Sequence, residues 1–174
     1  HPTLVPKNRL VANVDGAMNA VLVHGNMVGP TLYYGAGAGA EPTASAVVAD
    51  VIDIARQTKL SQDTLIPSLG FMPDKINEKN ILSIENIFSE YYLRFTMKNQ
   101  AGLLAKITNI FADHDISINS MVHKEVQENN QNPDIFLITS KTKEADIDTI
   151  ISEIELLPEN IEKVVKIRTE ELNK

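Results

Sequence analysis

The chain contains no cysteine and no tryptophan. Without cysteine there is no disulfide framework, no thiol nucleophile and no thiolate metal site, and the composition suits a reducing compartment. Cytoplasm is the expected location. No apolar run approaches the ~20 residues that a membrane-spanning helix needs, and the first residues lack the basic, apolar and small-residue blocks of an export signal. A soluble protein with no membrane partner is expected. Clustered basic residues are also missing: 16 Lys and Arg face 23 Asp and Glu, for a formal net charge of −7. Phosphate binding needs a concentrated basic surface, so nucleic acid is not an expected partner. The four histidines, His1, His24, His114 and His123, show no metal-ligand spacing. They read as structural or surface residues, and no metal is expected. An initiator methionine is absent as well, and His1-Pro2 runs at once into apolar sequence. This is expected to be a piece of a longer protein whose upstream part carries residues essential to function.

What is present suffices for one or two domains, since 43% of 174 residues are apolar. Three stretches differ in texture. Residues 1–58 are rich in Ala, Val and Gly and poor in Lys and Glu, as buried or interfacial segments tend to be. Residues 59–88 carry Pro67, Gly70, Pro73 and a polar run Asn77-Glu78-Lys79-Asn80, the composition of a linker, and end in a short amphipathic piece from Ile81 to Phe88. From residue 89 to about 170 strand and helix periods alternate.

In the first stretch, Ala17 to Val23, the turn residues His24-Gly25-Asn26 and the run Met27 to Tyr34 predict a hairpin. Pro30 has no N–H for a ladder bond and predicts an edge strand or a bulge. Gly35 to Gly39 then leads into a helix whose apolar face is Val47, Val48, Val51, Ile54 and Ala55. Asp50 and Asp53 lie off that face and read as its solvated side rather than a carboxylate site.

In the last stretch, Tyr91, Leu93, Phe95 and Met97 alternate with polar neighbours, which predicts a strand with one buried face. Leu103, Leu104, Ile107, Ile110 and Phe111 predict a helix ending near Asp113-His114-Asp115. Ile116 to Lys124 and Ile135 to Thr139 predict strands on either side of a polar loop from Gln127 to Pro133. Ile147, Ile150, Ile151, Ile154 and Leu157 predict a second helix stopped by Pro158, and Val164 to Ile167 a final strand. The order βαββαβ predicts a ferredoxin-like unit with two helices on one face of a four-stranded antiparallel sheet.

Two turns are candidates for chemistry. The run Gly35 to Gly39 lets backbone approach a ligand and opens a helix N-terminus toward an anion such as a nucleotide phosphate. Equally, glycines permit a tight strand-to-helix turn, and spacing alone favours that, because neither phosphate-binding fingerprint is matched. The turn Asn99 to Gly102 presents helix N–H groups to a carboxylate; the alternative is that Asn99 or Gln100 simply caps the helix.

Particular words in the sequence carry a resemblance. His1-Pro2-Thr3-Leu4-Val5-Pro6, Asp15-Gly16, Asn19-Ala20-Val21 and Tyr34-Gly35-Ala36-Gly37-Ala38-Gly39, followed by Pro42-Thr43-Ala44-Ser45-Ala46-Val47-Val48, resemble the end of the catalytic portion of the homoserine dehydrogenase family. Ser89-Glu90-Tyr91-Tyr92-Leu93-Arg94 and Ala101-Gly102-Leu103-Leu104-Ala105 resemble the ACT domain that bacterial members carry behind it. The resemblance implies an α+β chain in which 1–58 are the remnant of an α/β substrate-binding and dimerisation domain, 59–88 a linker and 89–170 an ACT regulatory domain.

It further implies, for the full-length parent, an NAD(P)-dependent oxidoreductase interconverting L-homoserine and L-aspartate 4-semialdehyde in threonine and methionine biosynthesis. The family's nucleotide-binding domain and catalytic residues lie before the segment matched by His1, so this fragment is expected to be inactive alone, with no catalytic residue and no bound cofactor. In the parent, Gly37 and Gly39 are implied to contact the nicotinamide nucleotide. In the ACT part, Asn99, Ala101, Gly102 and Leu103 are implied to hold an amino-acid effector, with Ser117 and Ile118 opposite from a second module. Threonine is the expected effector and a homo-oligomer, dimer or tetramer, the expected state. The competing reading is a free-standing amino-acid-binding ACT dimerisation module with no enzyme attached.

Overall fold

A computed structural model of the chain describes residues 1–59, 67, 69–124 and 132–170. Most of the predicted polar loop at Gln127 to Pro133, and residues 60–66 and 68 of the predicted linker, lie outside the described residues. The chain divides into two compact units, Lys7–Asn80 on the one hand and His1–Pro6 with Ile81–Lys174 on the other. Both helices and strands contribute, and the fold is α+β. Among the described residues no helix is long and apolar enough to cross a membrane.

The unit Lys7–Asn80 is built on an antiparallel hairpin of β2 (Met18–Gly25) and β3 (Gly29–Ala36), in register from Met18 opposite Ala36 to Gly25 opposite Gly29. The predicted turn shifts toward the C-terminus: Asn26, Met27 and Val28 form it, and Met27 sits 96% exposed at its tip rather than in a strand. Gly29 explains the shift, because its φ of 76° supplies the left-handed residue that closes a three-residue loop. Pro30 faces His24 in a two-stranded sheet, where each strand is an edge and a missing donor is tolerated. Helix α1 (Ala40–Gln57) follows. Its predicted apolar face exists as a stripe, yet Val51 and Ile54 are 60% and 61% exposed, and no described residue of this unit is buried.

The second unit has a core. Strand β4 (Phe88–Thr96), helix α2 (Leu103–Asp113), strands β5 (Ile118–His123) and β6 (Asp134–Thr139), helix α3 (Glu144–Glu155) and strand β8 (Val165–Thr169) realise the βαββαβ order. The central strands lie in the order β8-β4-β6-β5, all antiparallel. Two short strands extend this sheet beyond the predicted four. Strand β7 (Thr142–Lys143) pairs with the start of β4, and β1 (Thr3–Leu4) lies parallel along β8, fixed also by the Glu170 N–H donating to the Leu4 carbonyl at 3.0 Å. Residues 1–6 therefore group with the sheet rather than with residues 7–58.

Period two on β4 and period 3.6 on the helices place Tyr91, Leu93, Phe95 and Met97 against Leu103, Ile107, Phe111, Ile147, Ile150 and Ile154. Ile135 and Leu137 of β6 complete the cluster. Helix α2 ends as its sequence predicts: Asp115 takes φ 55°, and the N–H groups of Asp115 and Ile116 donate to the carbonyls of Ala112 and Phe111, closing the helix in the manner of a Schellman cap.

Candidate functional site

At the end of β4 the chain turns through Asn99 to Gly102 and enters α2. Gly102 adopts φ 85° and occupies the N-cap, and no side chain caps the helix there. Neither Asn99 nor Gln100 therefore serves as the simple cap considered above. The first-turn N–H groups of Leu104 and Ala105 have no intrahelical acceptor by helix geometry, so they face outward as anion donors. Beside them lies a shallow cleft of about 180 Å³ lined by Asn99, Gln100, Gly102, Leu103, Leu104, Ala105 and His123.

Three of the implied effector residues, Asn99, Gly102 and Leu103, thus share one cleft, whereas Ala101 is not in its lining. Ser117 and Ile118 lie at the opposite end of β5 from His123; Ser117 accepts from the Ser140 N–H at 2.8 Å, and Ile118 packs on the core. His123 is exposed, in keeping with its expected place as a structural or surface residue, and it pairs with buried Ile135, so it shares the helix-facing side of the sheet and lines the cleft. Strand alternation from Met121 carries that information, because residues two apart face the same way.

Both walls of the turn are hydrogen-bonded to the segment after α3. On the strand side, the Lys98 N–H donates to the Glu159 carbonyl at 2.9 Å and Lys98 Nζ to the Pro158 carbonyl at 3.2 Å. On the helix side, Lys106 Nζ donates to Glu159 Oε1 at 2.5 Å. Glu159 is 4% exposed, and the Lys106 ammonium holds its carboxyl below the ordinary range.

A second polar cluster lies under α3. Glu144 is 3% exposed at the helix start, where its carboxylate accepts from Tyr91 Oη at 2.7 Å, Arg168 Nε at 2.8 Å, Arg168 Nη2 at 2.5 Å and Lys166 Nζ at 2.6 Å. Lys166 also bonds Asp148. Burial pulls the Glu144 carboxyl upward, but the bonds from Lys166, Arg168 and Tyr91 outweigh it and leave the group below its ordinary value. Burial, then the bond to Glu144, pushes the Tyr91 hydroxyl upward. Every group here is satisfied within the cluster, which makes it a structural clamp between α3 and β8. Spacing gave no sign of it, because the partners lie 22 to 53 residues from Glu144.

In the other unit, the glycine turn has packing reasons of its own. A Cβ on Gly37 would stand 1.7 Å from Asn19 Nδ2, and the Gly37 N–H donates to the Ala17 carbonyl at 2.8 Å. Gly39 has φ 132° at the N-cap of α1, with no side-chain cap. The first-turn N–H groups of Ala40 and Glu41 can meet an anion, although the Glu41 carboxylate stands among them and Pro42 has no N–H to offer. Among the described residues, no group of three His, Asp or Glu could hold a metal ion.

Comparison with known proteins bears on both units. Residues 1–52 match the homoserine dehydrogenase family model, and residues 91–159 match that of the ACT domain. Homoserine dehydrogenase of Pseudomonas aeruginosa is 45% identical over 173 residues, 99% of this chain and 40% of that protein. Its counterpart in Helicobacter pylori is 39% identical over 98% of this chain and 38% of that protein. The crystal structure of a homoserine dehydrogenase from Thiobacillus denitrificans aligns with a TM-score of 0.87 at 50% identity, covering 99% of this chain and 38% of that one. The chain spans about two-fifths of the length of the curated relatives it matches.

Proposed function

Because this chain is similar from end to end to the C-terminal part of homoserine dehydrogenase, with the end of that family's own domain followed by an ACT domain, we propose that it regulates and completes such an enzyme. The full-length protein interconverts L-homoserine and L-aspartate 4-semialdehyde in the cytoplasm, and NAD(P), when bound, supplies or accepts the hydride. Gly37 and Gly39 are the positions of this chain that approach the nucleotide. The fragment by itself turns over no substrate.

The observation that carries the regulatory reading is the cleft at the β4 to α2 turn, where Gly102 opens an uncapped helix N-terminus beside Asn99 and His123. An amino-acid carboxylate suits the helix N–H groups, and the Asn99 side chain suits the ammonium or a hydroxyl. Threonine has all three groups. Among the described residues strand β5 ends the sheet with no strand on its outer side, which favours a second copy along that edge. Such a copy brings Ser117 and Ile118 toward the turn of its neighbour, with Ala101 beside them. An effector that binds this paired arrangement better than another shifts the enzyme between states. The uncovered apolar stripe of α1 speaks against a free-standing module, since large exposed apolar patches mark surfaces meant to be covered.

Isothermal titration of the chain with L-threonine, L-serine, L-isoleucine and L-methionine tests the proposal. Saturable heat with threonine is expected; silence with all four overturns the sensing role. Light scattering at high concentration is expected to report a dimer or tetramer.

A further inference from the structure

The turn that forms the cleft is bonded at both ends to one short segment, Pro158 to Ile161, which lies between α3 and β8. Before the turn, Thr96, Met97 and Lys98 meet this segment: the Ile161 N–H donates to the Thr96 carbonyl at 3.1 Å, Met97 bridges Asn160, and the Lys98 N–H donates to the Glu159 carbonyl. After the turn, the backbone N–H of Lys106 donates to the Gly102 carbonyl at 3.0 Å while its ammonium holds Glu159. Lys106 therefore links the cleft-forming glycine to a buried carboxylate through one residue. Glu159 Oε2 has no donor among the described residues, and the side-chain hydrogen bond to this carboxylate comes from Lys106 at Oε1.

We propose that Glu159, acting through Lys106, is a positioning residue for the effector turn, holding Gly102 and the first-turn N–H groups of α2 in the geometry that receives an amino-acid carboxylate. This rests on the reading of that turn as an effector site. Neither residue lines the cleft, so their effect on binding is indirect. It is transmitted because the N–H donors at a helix start move with the first turn as a body, and hydrogen bonds weaken steeply with misalignment. Lys98 is the other cation near Glu159, and it lowers the same carboxyl.

The test uses the 174-residue chain and titrates it with threonine, or with whichever of the four amino acids binds the unaltered protein. Glu159→Gln and Lys106→Met are expected each to weaken binding by about two- to thirtyfold, the range found for residues that act on a site through a neighbour. Combining them costs no more than either alone, because both remove one link. Lys106→Arg keeps the charge and the donors and retains affinity. In the ligand-free Lys106→Met protein, the amide resonances of Gly102 and Leu103 shift while those of β6 stay in place. Lys106 is 49% exposed at its side chain, but Lys106→Met leaves the Glu159 carboxylate buried without it, whereas Glu159→Gln leaves no unpaired buried charge, so the test stands on Glu159→Gln wherever Lys106→Met fails to fold. If both single variants bind as the unaltered chain does, or if their effects add, the positioning role is wrong. If the unaltered chain itself binds none of the four amino acids, the effector reading fails first.

Discussion

Glu144→Gln tests the account of what ties α3 to the sheet. The substitution keeps the shape of the side chain and removes its charge. At 3% exposure the carboxylate accepts four bonds, two of them from Arg168 and one each from Lys166 and Tyr91. A glutamine has one acceptor oxygen and turns an NH2 group toward donors, so at least two bonds fail and two cations lose their counter-charge. Lys166 keeps Asp148, whose side chain is 54% exposed and therefore screened. Breaking a buried ion pair by removing one partner costs about 3–5 kcal/mol. Tyr91→Phe removes one donor and leaves the carboxylate with three, so about 1.5 kcal/mol is expected from it, the lower end for a bond to a charged group.

Urea unfolding of both variants at neutral pH measures these losses. The pH dependence adds a sign. The native Glu144 carboxyl lies below its ordinary value of 4.5, so its contribution is present above that pH and is lost as pH falls through the native value. The gap between the unaltered protein and Glu144→Gln should therefore narrow on acidification below about pH 4. A Glu144→Gln protein within about 0.5 kcal/mol of the unaltered one at pH 7 refutes the reasoning, since that is the scale of an ordinary surface substitution. A gap that stays constant down to pH 3 refutes it too.

Three further outcomes follow from single positions. Gly102→Ala should cost about 1–2 kcal/mol in urea unfolding, because φ is 85° and an added Cβ meets no atom within 4 Å, leaving backbone strain as the cost. Phe111→Ala, at a fully buried ring between α2 and the sheet, should cost about 3–5 kcal/mol. Gly37→Ala places a methyl group on the Asn19 amide and should speed hydrogen exchange at the residue 37 amide, which donates to Ala17; adding Asn19→Ala should restore its protection.

Much of the ACT unit was legible along the chain, because β4, α2 and α3 each bury one face and leave the other wet. Tyr91, Leu93, Phe95 and Met97 on one element, and Ile147, Ile150 and Ile154 on another, announce their period and hence their structure. The hairpin turn lies two residues beyond its expected place, since apolar Met27 and Val28 look like strand while the conformational demand falls on Gly29. Strands β1 and β7, two residues each, are too short to leave a periodic trace, and β1 exists because β8 offers it an open edge.

The sequence by itself determined the longer elements and the turn at Asn99 to Gly102, which depend on neighbours within a few residues, and the likeness to known proteins, which runs along the whole chain. Only the tertiary structure decided that His123 enters that cleft, that Glu144 gathers Tyr91, Lys166 and Arg168, and that Glu159 reaches Lys106 across 53 residues. A periodic pattern reports that a face is buried and is silent on what buries it. Partners brought together by sheet order and helix packing carry no mark in the local sequence.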